Sequence, residues 1–418
     1  MTTLILGSLF GLLGCEEYYT VDDACAENLV GGSTLGPVPY DALDRINCYR
    51  RLSGVTKGTA NEQVQIAANR EMNYIAANPN PGVLIGPIGA KELLDQANEE
   101  SEAFTGSSIY DRLEQAGYSL YDIAGTGIWE YIAIVTADTP AELPSGKAAV
   151  DFLMRDAEFR QVVMQPSWID GAYAEVELGQ NWWIEPEFEA LVNTGTGTTT
   201  GTTFTLPPGP SLGRAYYFVV LYQAPHFEHV DRPVLVPKED QTDVPLYSWS
   251  ADQDVLIGGL PAPVQISYPV TLTVGAVDPQ NYREVDQNQY SAQIKKASLI
   301  ELTSQNDPKG TALETEVVHP GDAAELTWPG GRFLRTTLAV YTNKPFKPDN
   351  WYRVFANMVT PEYEFEVDYT FKTRAEDPGL IVAPPLTGAR SVDPGARGLR
   401  IVSSGSRIHG PLSLPSAP

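Results

Sequence analysis

The clearest pattern of apolar and polar residues in the chain runs from Ser145 to Glu177. Its first part repeats apolar residues at helical spacing on one face, namely Ala149, Phe152, Phe159 and Val163. Residues 171–177 then alternate between inward and outward side chains, as a half-buried strand does. The pattern predicts one long amphipathic helix and a strand that returns over it, which is a layered α/β unit.

Three more helices are predicted before residue 120, each preceded by a residue whose side chain can cap a helix. They are residues 42–52 after Asp41, residues 62–77 after Asn61, and residues 109–116 after Ser107 or Ser108. Two strands are predicted at residues 129–136 and 215–222, and the second is a continuous apolar run typical of a fully buried strand.

From Pro233 onward the pattern changes to short alternating strands between Pro, Asp, Asn and Gly residues. The predicted strands are residues 232–237, 268–274, 297–303, 338–342, 351–356 and 364–373. Because no helical periodicity lies between them, they indicate an antiparallel β-sandwich. Residues 375–418 are rich in Gly, Pro, Ser and Arg without an apolar period, so a disordered tail is predicted there.

Length and charge narrow the classes of function. A chain of 418 residues suits two domains of about 150–200 residues each. The 28 Lys and Arg residues against 53 Asp and Glu residues leave a net charge of −25. Nucleic-acid binding and electrostatic docking on anionic lipid both need a basic surface, so both are excluded.

Cys15 directly follows an apolar run at residues 4–14, which gives the sequence Leu12-Leu-Gly-Cys15. The run is far shorter than the roughly 20 residues of a membrane-spanning helix, and its end resembles a bacterial lipobox. That resemblance implies cleavage before Cys15, its lipidation, and export to the bacterial cell envelope with the lipid anchor as the sole membrane contact. The leading Met-Thr-Thr has no basic residue, which leaves open a start further upstream.

Cys25 and Cys48 are the two cysteines that remain once Cys15 is assigned to the lipid. An even remainder in an exported protein is typical of a disulfide. A Cys25–Cys48 bond would join the leading segment to the first helix. Closing a loop of about 24 residues stabilises a fold by about 3 kcal/mol on the chain-entropy model.

Five short segments follow one another in the first half of the chain. They are residues 46–50 (INCYR), 67–72 (AANREM), 104–112 (FTGSSIYDR), 129–133 (WEYIA) and 159–166 (FRQVVMQP). Their order resembles the blocks of the CAP superfamily in its bacterial branch, a superfamily that includes cysteine-rich secretory proteins, antigen-5 and plant pathogenesis-related proteins. The resemblance implies a three-layer α/β/α sandwich over residues 38–225.

Residues 347–354 (KPDNWYRV), followed by a closing strand, resemble the end of bacterial immunoglobulin-like domains. The predicted fold class is therefore α+β, a three-layer α/β/α CAP sandwich followed by an all-β immunoglobulin-like sandwich over residues 226–374. The predicted remainder comprises residues 1–15 as signal and lipidated Cys, 16–37 as spacer and 375–418 as tail.

CAP domains that bind metal use a cleft of two histidines and two glutamates. In this chain Glu71 and Phe159 occupy the histidine positions, Arg160 follows Phe159, and Glu130 keeps one glutamate position. All four histidines lie outside residues 38–225, and they are His226, His229, His319 and His409. The resemblance therefore implies no zinc site and no cofactor, with a Ca²⁺ or Mg²⁺ site on Glu71 and Glu130 as the remaining alternative.

Glu71 lies on the inward face of its predicted helix, together with Val64, Ala67, Ala68 and Ile75. A carboxylate on an inward face needs a partner or a cavity. Arg160 is the predicted partner, with Glu130 near enough to raise the pKa of one carboxyl group. An ion-pair brace, a ligand cleft and a general acid–base pair are the three interpretations that stay open.

The sequence thus predicts a non-catalytic lipoprotein that binds or scaffolds a protein, lipid or glycan at the bacterial surface. Its predicted cleft consists of Glu71, Glu130, Phe159 and Arg160. The alternative is a divergent, peptidase-like hydrolase of the same fold with Glu71 and Glu130 as catalytic candidates. The lack of a nucleophile–base pair favours binding over catalysis. A third hypothesis assigns the partner contacts to the β-sandwich.

Overall fold

The computed structural model describes residues 18–25, 35–78, 93–119, 126–137, 140–165, 168–179, 197–199, 202–204, 212–223, 233–257, 260–273, 293–318, 337–359, 364–377 and 400–409. The predicted signal, Cys15 and three of the histidines (His226, His229 and His319) lie outside these residues. Within them the chain is a mixed α+β protein with several sheets, as predicted. No helix in these ranges is long and apolar enough to cross a membrane.

The α-helices of the described ranges all lie before residue 165. They are α1 (Val21–Ala24), α2 (Pro37–Leu52), α3 (Glu62–Ala77), α4 (Ile109–Gln115), α5 (Lys147–Leu153) and α6 (Ala157–Val163). The Asn61 side chain caps α3 by accepting hydrogen bonds from the backbone N–H groups of Gln63 and Val64. Ser108 caps α4 in a capping box with Asp111. Both caps confirm the predicted starts.

The strands of the described ranges lie between Thr59 and His409. They are β1 (Thr59–Ala60), β2 (Thr126–Ala137), β3 (Trp168–Leu178), β4 (Gly197–Thr199), β5 (Thr202–Phe204), β6 (Leu212–Gln223), β7 (Val234–Val236), β8 (Tyr247–Ile257), β9 (Leu260–Ser267), β10 (Val270–Thr273), β11 (Gln293–Leu302), β12 (Thr311–Ala312), β13 (Glu316–Val318), β14 (Thr337–Tyr341), β15 (Trp351–Val359), β16 (Glu364–Lys372) and β17 (Arg400–His409). Every strand predicted from the alternating pattern has its counterpart here.

A five-stranded sheet with the order β1-β3-β6-β2-β17 forms the centre of the first part. Only the short pair β1–β3 is parallel among its ladders. Odd-numbered residues of β2, such as Tyr131, pack with α2, α5 and α6, whereas even-numbered residues, such as Ile132, pack with α3 and α4. Helices therefore cover both faces of the sheet, which explains why its central strands are continuously apolar.

The single long helix predicted from Ser145 onward is wrong, because α5 and α6 are separate short helices. Between them, Asp156 accepts a hydrogen bond of 2.8 Å from the N–H of Glu158 and caps α6. Its other carboxylate oxygen accepts a hydrogen bond of 2.9 Å from the Tyr131 hydroxyl on the sheet. An Asp side chain that bonds nearby backbone in this way competes with helix continuation. The apolar spacing does not reveal the break because Phe152 and Phe159 still face one core.

The second part contains two four-stranded antiparallel sheets, ordered β13-β14-β10-β7 and β12-β11-β15-β16. Strand β11 of the second sheet contacts β14 of the first, and Leu272 and Val354 both lie in the main apolar cluster, so the two sheets share a core. Buried and half-buried positions alternate along the whole of β15, as expected of a strand with one face on a core. The β8–β9 hairpin was not predicted.

The prediction of a disordered tail over residues 375–418 is wrong for two stretches. Residues 400–409 form β17, which pairs antiparallel with β2 along its length and so returns the chain to the first sheet. Asp377 is buried, with its carboxylate bonded to Arg155 of the first part. The second part is thus an insertion between β6 and β17, and the first part does not end at residue 225.

Residues 18–25, the first described range, also differ from the predicted spacer. Residues 18–25 include α1 and are folded against the rest of the molecule, since Val21 and Ala24 are buried in the main apolar cluster. The Cys25–Cys48 disulfide joins this segment to α2, and this confirms the predicted pairing.

Candidate functional site

Glu71 projects from α3 toward the sheet and has no solvent exposure. Arg112 of α4 places its Nε 3.2 Å from Glu71 Oε2, which makes a buried ion pair. The same oxygen accepts a hydrogen bond of 2.9 Å from the side-chain amide of Gln96. Among the residues that the structure describes, the other oxygen, Oε1, has no hydrogen-bond partner, and neither does Nη1 of Arg112. The inward position predicted for Glu71 is therefore confirmed, with Arg112 as its partner.

Glu130 lies at the centre of β2, on the same face of the sheet as α3 and α4. Arg112 Nη2 donates a hydrogen bond of 2.7 Å to Glu130 Oε1. The same oxygen accepts a hydrogen bond from the Tyr217 hydroxyl of β6, the neighbouring strand. Arg112 thus bridges two carboxylates, and the side chains of all three residues have no solvent exposure.

His409, the last residue of β17, completes the cluster. Its Nε2 is hydrogen-bonded to Glu130 Oε2, and its ring meets that of Tyr110 edge to face with centroids 5.6 Å apart. Two residues earlier on the same strand, Arg407 forms an ion pair with Asp95. The His409 side chain is 13% exposed, so it is the member of the cluster that reaches solvent. We call Glu71, Arg112, Glu130, Tyr217 and His409 the carboxylate cluster.

The environments of the two carboxylates drive their pKa values apart. Burial raises the pKa of Glu71 to about 7, because the attraction of Arg112 offsets only part of the lost hydration. Burial also opposes ionisation of Glu130, but the charges of His409 and Arg112 outweigh it and lower the pKa of Glu130 to about 2. Burial opposes the charge on Arg112 as well, yet the two carboxylates raise its pKa above the usual value. Near neutral pH, Glu71 thus gains or loses a proton, whereas Glu130 remains ionised.

Phe159 and Arg160 do not belong to this cluster, contrary to the predicted cleft. Phe159 lies on the opposite face of the sheet, where its ring packs against Tyr131 and Phe218 with centroids 5.0 and 5.9 Å away. Arg160 is fully buried and donates hydrogen bonds to Met154 O at 2.6 Å and to Thr271 Oγ1 at 3.2 Å. The sheet therefore separates the predicted cleft residues into two pairs.

Arg160 instead joins the two parts of the chain. Besides Thr271, it bonds the carbonyl oxygens of Pro269 and Val236, and its guanidinium lies 4.0 Å from the centroid of the Tyr268 ring. All of these residues belong to the second part. The predicted pairing of Arg160 with Glu71 is wrong because α6 and α3 pack on opposite faces of the sheet.

The cluster offers acid–base chemistry more readily than metal binding. Within the described ranges, no group of three or more His, Cys, Asp and Glu side chains is arranged to hold a metal ion. Two carboxyl groups with separated pKa values are, by contrast, the usual setting of a proton donor and acceptor. The same residues could also form an internal ion-pair brace. Burial distinguishes the two roles, because a proton donor or acceptor must be within reach of a substrate and a brace need not be.

Three members of the cluster were not predicted as site residues. Arg112 stands in one of the segments that carry the family resemblance, and its position on a capped amphipathic helix was the available signal. Tyr217 lies in a run that is apolar on both sides, so nothing singles it out. His409 ends a stretch in which Arg400, Val402, Ser404, Ser406 and Ile408 occupy every second position. This is a weak strand pattern, because the Ser and Gly content of the stretch hides it.

Comparison with known proteins adds no family to these observations. No protein-family model matches the chain, and no curated protein does. The carboxylate cluster and the contacts between the two parts are therefore the features that bear on function.

Proposed function

We propose that the protein is a non-catalytic lipoprotein of the bacterial cell envelope that binds or scaffolds a protein, lipid or glycan at the surface. In this proposal the first part is a degenerate CAP domain that includes residues 400–409, and the second is an immunoglobulin-like domain inserted into it. A mainly antiparallel sheet with helices on both faces supports the first assignment. Two facing antiparallel sheets support the second.

The observation that carries the non-catalytic role is the burial of both candidate carboxylates. The side chains of Glu71, Arg112 and Glu130 are 0% exposed. A general acid or base must come within hydrogen-bond distance of the substrate atom that it serves. An enclosed carboxylate that is already bonded to Arg112 does not meet this condition. The cluster then acts as a brace that holds α3 and α4 on the sheet.

A scaffolding role is also supported by the firm connection between the two parts. The Arg155–Asp377 ion pair is buried, with Nη1 2.8 Å from Oδ2, and the same oxygen accepts a hydrogen bond of 2.7 Å from the N–H of Leu246. Arg160 adds its bonds to β10 and the residues before it. Two parts that share buried charges present their outer surfaces in one fixed arrangement, which suits a binding scaffold.

The test uses purified full-length protein and three probes: peptidoglycan, phosphatidylcholine vesicles with embedded glycolipid, and an array of bacterial surface glycans. We expect saturable retention on at least one probe, without turnover of peptide or ester substrates. Glu71→Gln should leave this retention unchanged, because the brace interpretation places Glu71 away from any ligand. Turnover that disappears in Glu71→Gln would overturn the proposal, and so would a lack of retention on all three probes.

A divergent hydrolase is the second candidate, and the separated pKa values of Glu71 and Glu130 favour it. In that case Glu71, with its pKa near 7, would act as the proton donor, and the partly exposed His409 would mark the side from which a substrate enters. Peptide hydrolysis that follows a single ionisation near pH 7, and that Glu71→Gln abolishes while Glu114→Gln on the exposed side of α4 preserves it, would establish this alternative.

A further inference from the structure

Residues 18–25 hold the two parts of the molecule together at one point. The first of them, Tyr18, lies only three positions beyond Cys15, the residue whose sequence context resembles a lipidation site. The segment was expected to be part of a flexible spacer, so its contacts change how the anchor relates to the folded body.

Contacts with the second part involve the backbone of the segment. They are the hydrogen bonds from Thr242 N to Tyr19 O at 2.8 Å, from Val21 N to Asp243 Oδ2 at 3.0 Å, and from Lys238 Nζ to Tyr18 O at 3.2 Å. Backbone groups bonded in this way fix the path of the chain rather than only its side chains.

Contacts with the first part are covalent and ionic. The Cys25–Cys48 disulfide ties the segment to α2, and Asp22 Oδ1 lies 2.6 Å from Arg45 Nη1 on the same helix. Farther along α2, the Arg51 guanidinium stacks over the Tyr18 ring, 4.6 Å from its centroid. The segment is therefore attached on both sides from Tyr18 onward.

Covalent geometry then limits how far the body can stand from the anchor. Three residues span at most about 11 Å when fully extended. A flexible spacer over residues 16–37, as predicted, would instead have a root-mean-square length of about 26 Å. The shorter link leaves no room for the body to turn freely above a membrane.

We propose that the bilayer which holds the acyl chains of Cys15 lies directly against the junction of the two parts, so that the protein has one fixed orientation on the membrane. This inference rests on the proposed lipoprotein function. The contacting surface is the one around Tyr18 and residues 238–242, which include the exposed Glu239. The helix α3, on the far face of the sheet, points away from the membrane.

The chemistry of the surface indicates which bilayer suits it. The chain has a net charge of −25, and Glu239 lies at the junction, so an anionic membrane would repel this face. Lipids with neutral, zwitterionic headgroups remove that repulsion, and the covalent anchor supplies the attachment. Phosphatidylcholine vesicles are therefore the appropriate membrane for a test.

The test measures the distance of two labelled positions from the headgroups of the bilayer. A fluorophore is attached to Glu239→Cys at the junction or to Ile66→Cys on the exposed side of α3, in full-length lipidated protein on phosphatidylcholine vesicles. A nitroxide on the lipid headgroups quenches nearby fluorophores. A second version of each protein carries a Gly/Ser insertion of about 20 residues before Tyr18, which lengthens the link to roughly 25 Å.

We expect several-fold stronger quenching at position 239 than at position 66, and loss of that difference after the insertion. Equal quenching at both positions in lipidated protein would overturn the fixed orientation while leaving the lipoprotein function intact. The mass of the purified protein separates the two hypotheses, because a chain without the acyl groups would overturn the lipoprotein function itself.

Discussion

His409 and Glu130 are hydrogen-bonded to each other although 279 residues separate them in the chain. The contact joins β17, at one edge of the first sheet, to the neighbouring strand β2. Glu130 in turn meets Arg112, so the terminal strand, the sheet and α4 share one buried set of charges. The properties of this cluster lead to the first three predictions.

Glu71→Gln should make the protein more stable at pH 8. The pKa of Glu71 is raised by burial from 4.5 to about 7, so the folded state holds a proton that the unfolded state releases between these values. The contribution of Glu71 to stability is thus full below pH 4.5 and lost as the pH rises through 7, a change of about 3 kcal/mol. Urea unfolding from pH 4 to pH 8 should show this decline in the wild type and not in the variant.

The control for this prediction is Glu114→Gln on α4, which removes a carboxylate from an exposed position. Its unfolding curve should follow that of the wild type at every pH. If Glu71→Gln were instead less stable than the wild type at pH 8, the charge of Glu71 would stabilise the fold. The stated direction of its pKa shift would then be wrong.

Glu130→Gln should have the opposite sign. The pKa of Glu130 is lowered to about 2, so its contribution to stability is present above pH 4.5 and lost as the pH falls toward 2. Removing the charge also takes one buried partner from Arg112, and breaking a buried pair costs about 3–5 kcal/mol. We expect a loss of this size in the free energy of unfolding at pH 7. An unchanged midpoint would show that His409 and Arg112 do not act on Glu130 as described.

Ending the chain after Leu399 should destabilise the first part. The truncation removes β17, leaves the edge of β2 unpaired and takes the His409 partner from Glu130. We expect a loss of about 3–5 kcal/mol, since buried polar groups lose their partners. A chain that ends after His409 is the matched control, and it should unfold like the full-length protein. Equal stability of the two truncated chains would mean that β17 adds nothing to the sheet.

Asp377→Asn should loosen the connection between the two parts. The Asp377 side chain is 0% exposed and pairs with Arg155, so the substitution leaves that guanidinium without its buried counter-charge. Calorimetry should show the wild type unfolding in one transition and the variant in two. Asp368→Asn is the control, because its pair with Arg353 is about 40% exposed and contributes under about 1 kcal/mol. One transition in both variants would contradict the prediction.

Local features of the chain could be predicted because their causes are local. Asn61 caps α3 with hydrogen bonds to residues two and three positions later, and the alternation along β15 follows from one face on a core. The Cys25–Cys48 pairing followed from the count of cysteines once the resemblance to a lipobox had assigned Cys15 to the lipid. The cap and the alternation depend on residues that are close together in the sequence.

The partner of Glu71 could not be predicted, because it depends on which face of β2 each helix covers. Strand β2 is apolar on both faces, so its pattern does not distinguish the side of α3 from the side of α6. Arg112 and Arg160 are both buried arginines on short helices, and only the packing of those helices decides between them. His409 was beyond prediction for a similar reason, since strand pairing across an inserted domain leaves no local mark.

The return of β17 to the first sheet has a consequence for the order of folding. A ribosome adds residues 400–409 only after the whole inserted part, so the first sheet lacks its edge strand until the inserted part has been made. The inserted part has all its strands earlier and is free to fold before the part that precedes it in sequence. Completion of the first sheet therefore requires synthesis of the whole inserted part. A chain that stops before residue 400 retains an open strand edge on β2, which can pair with other chains.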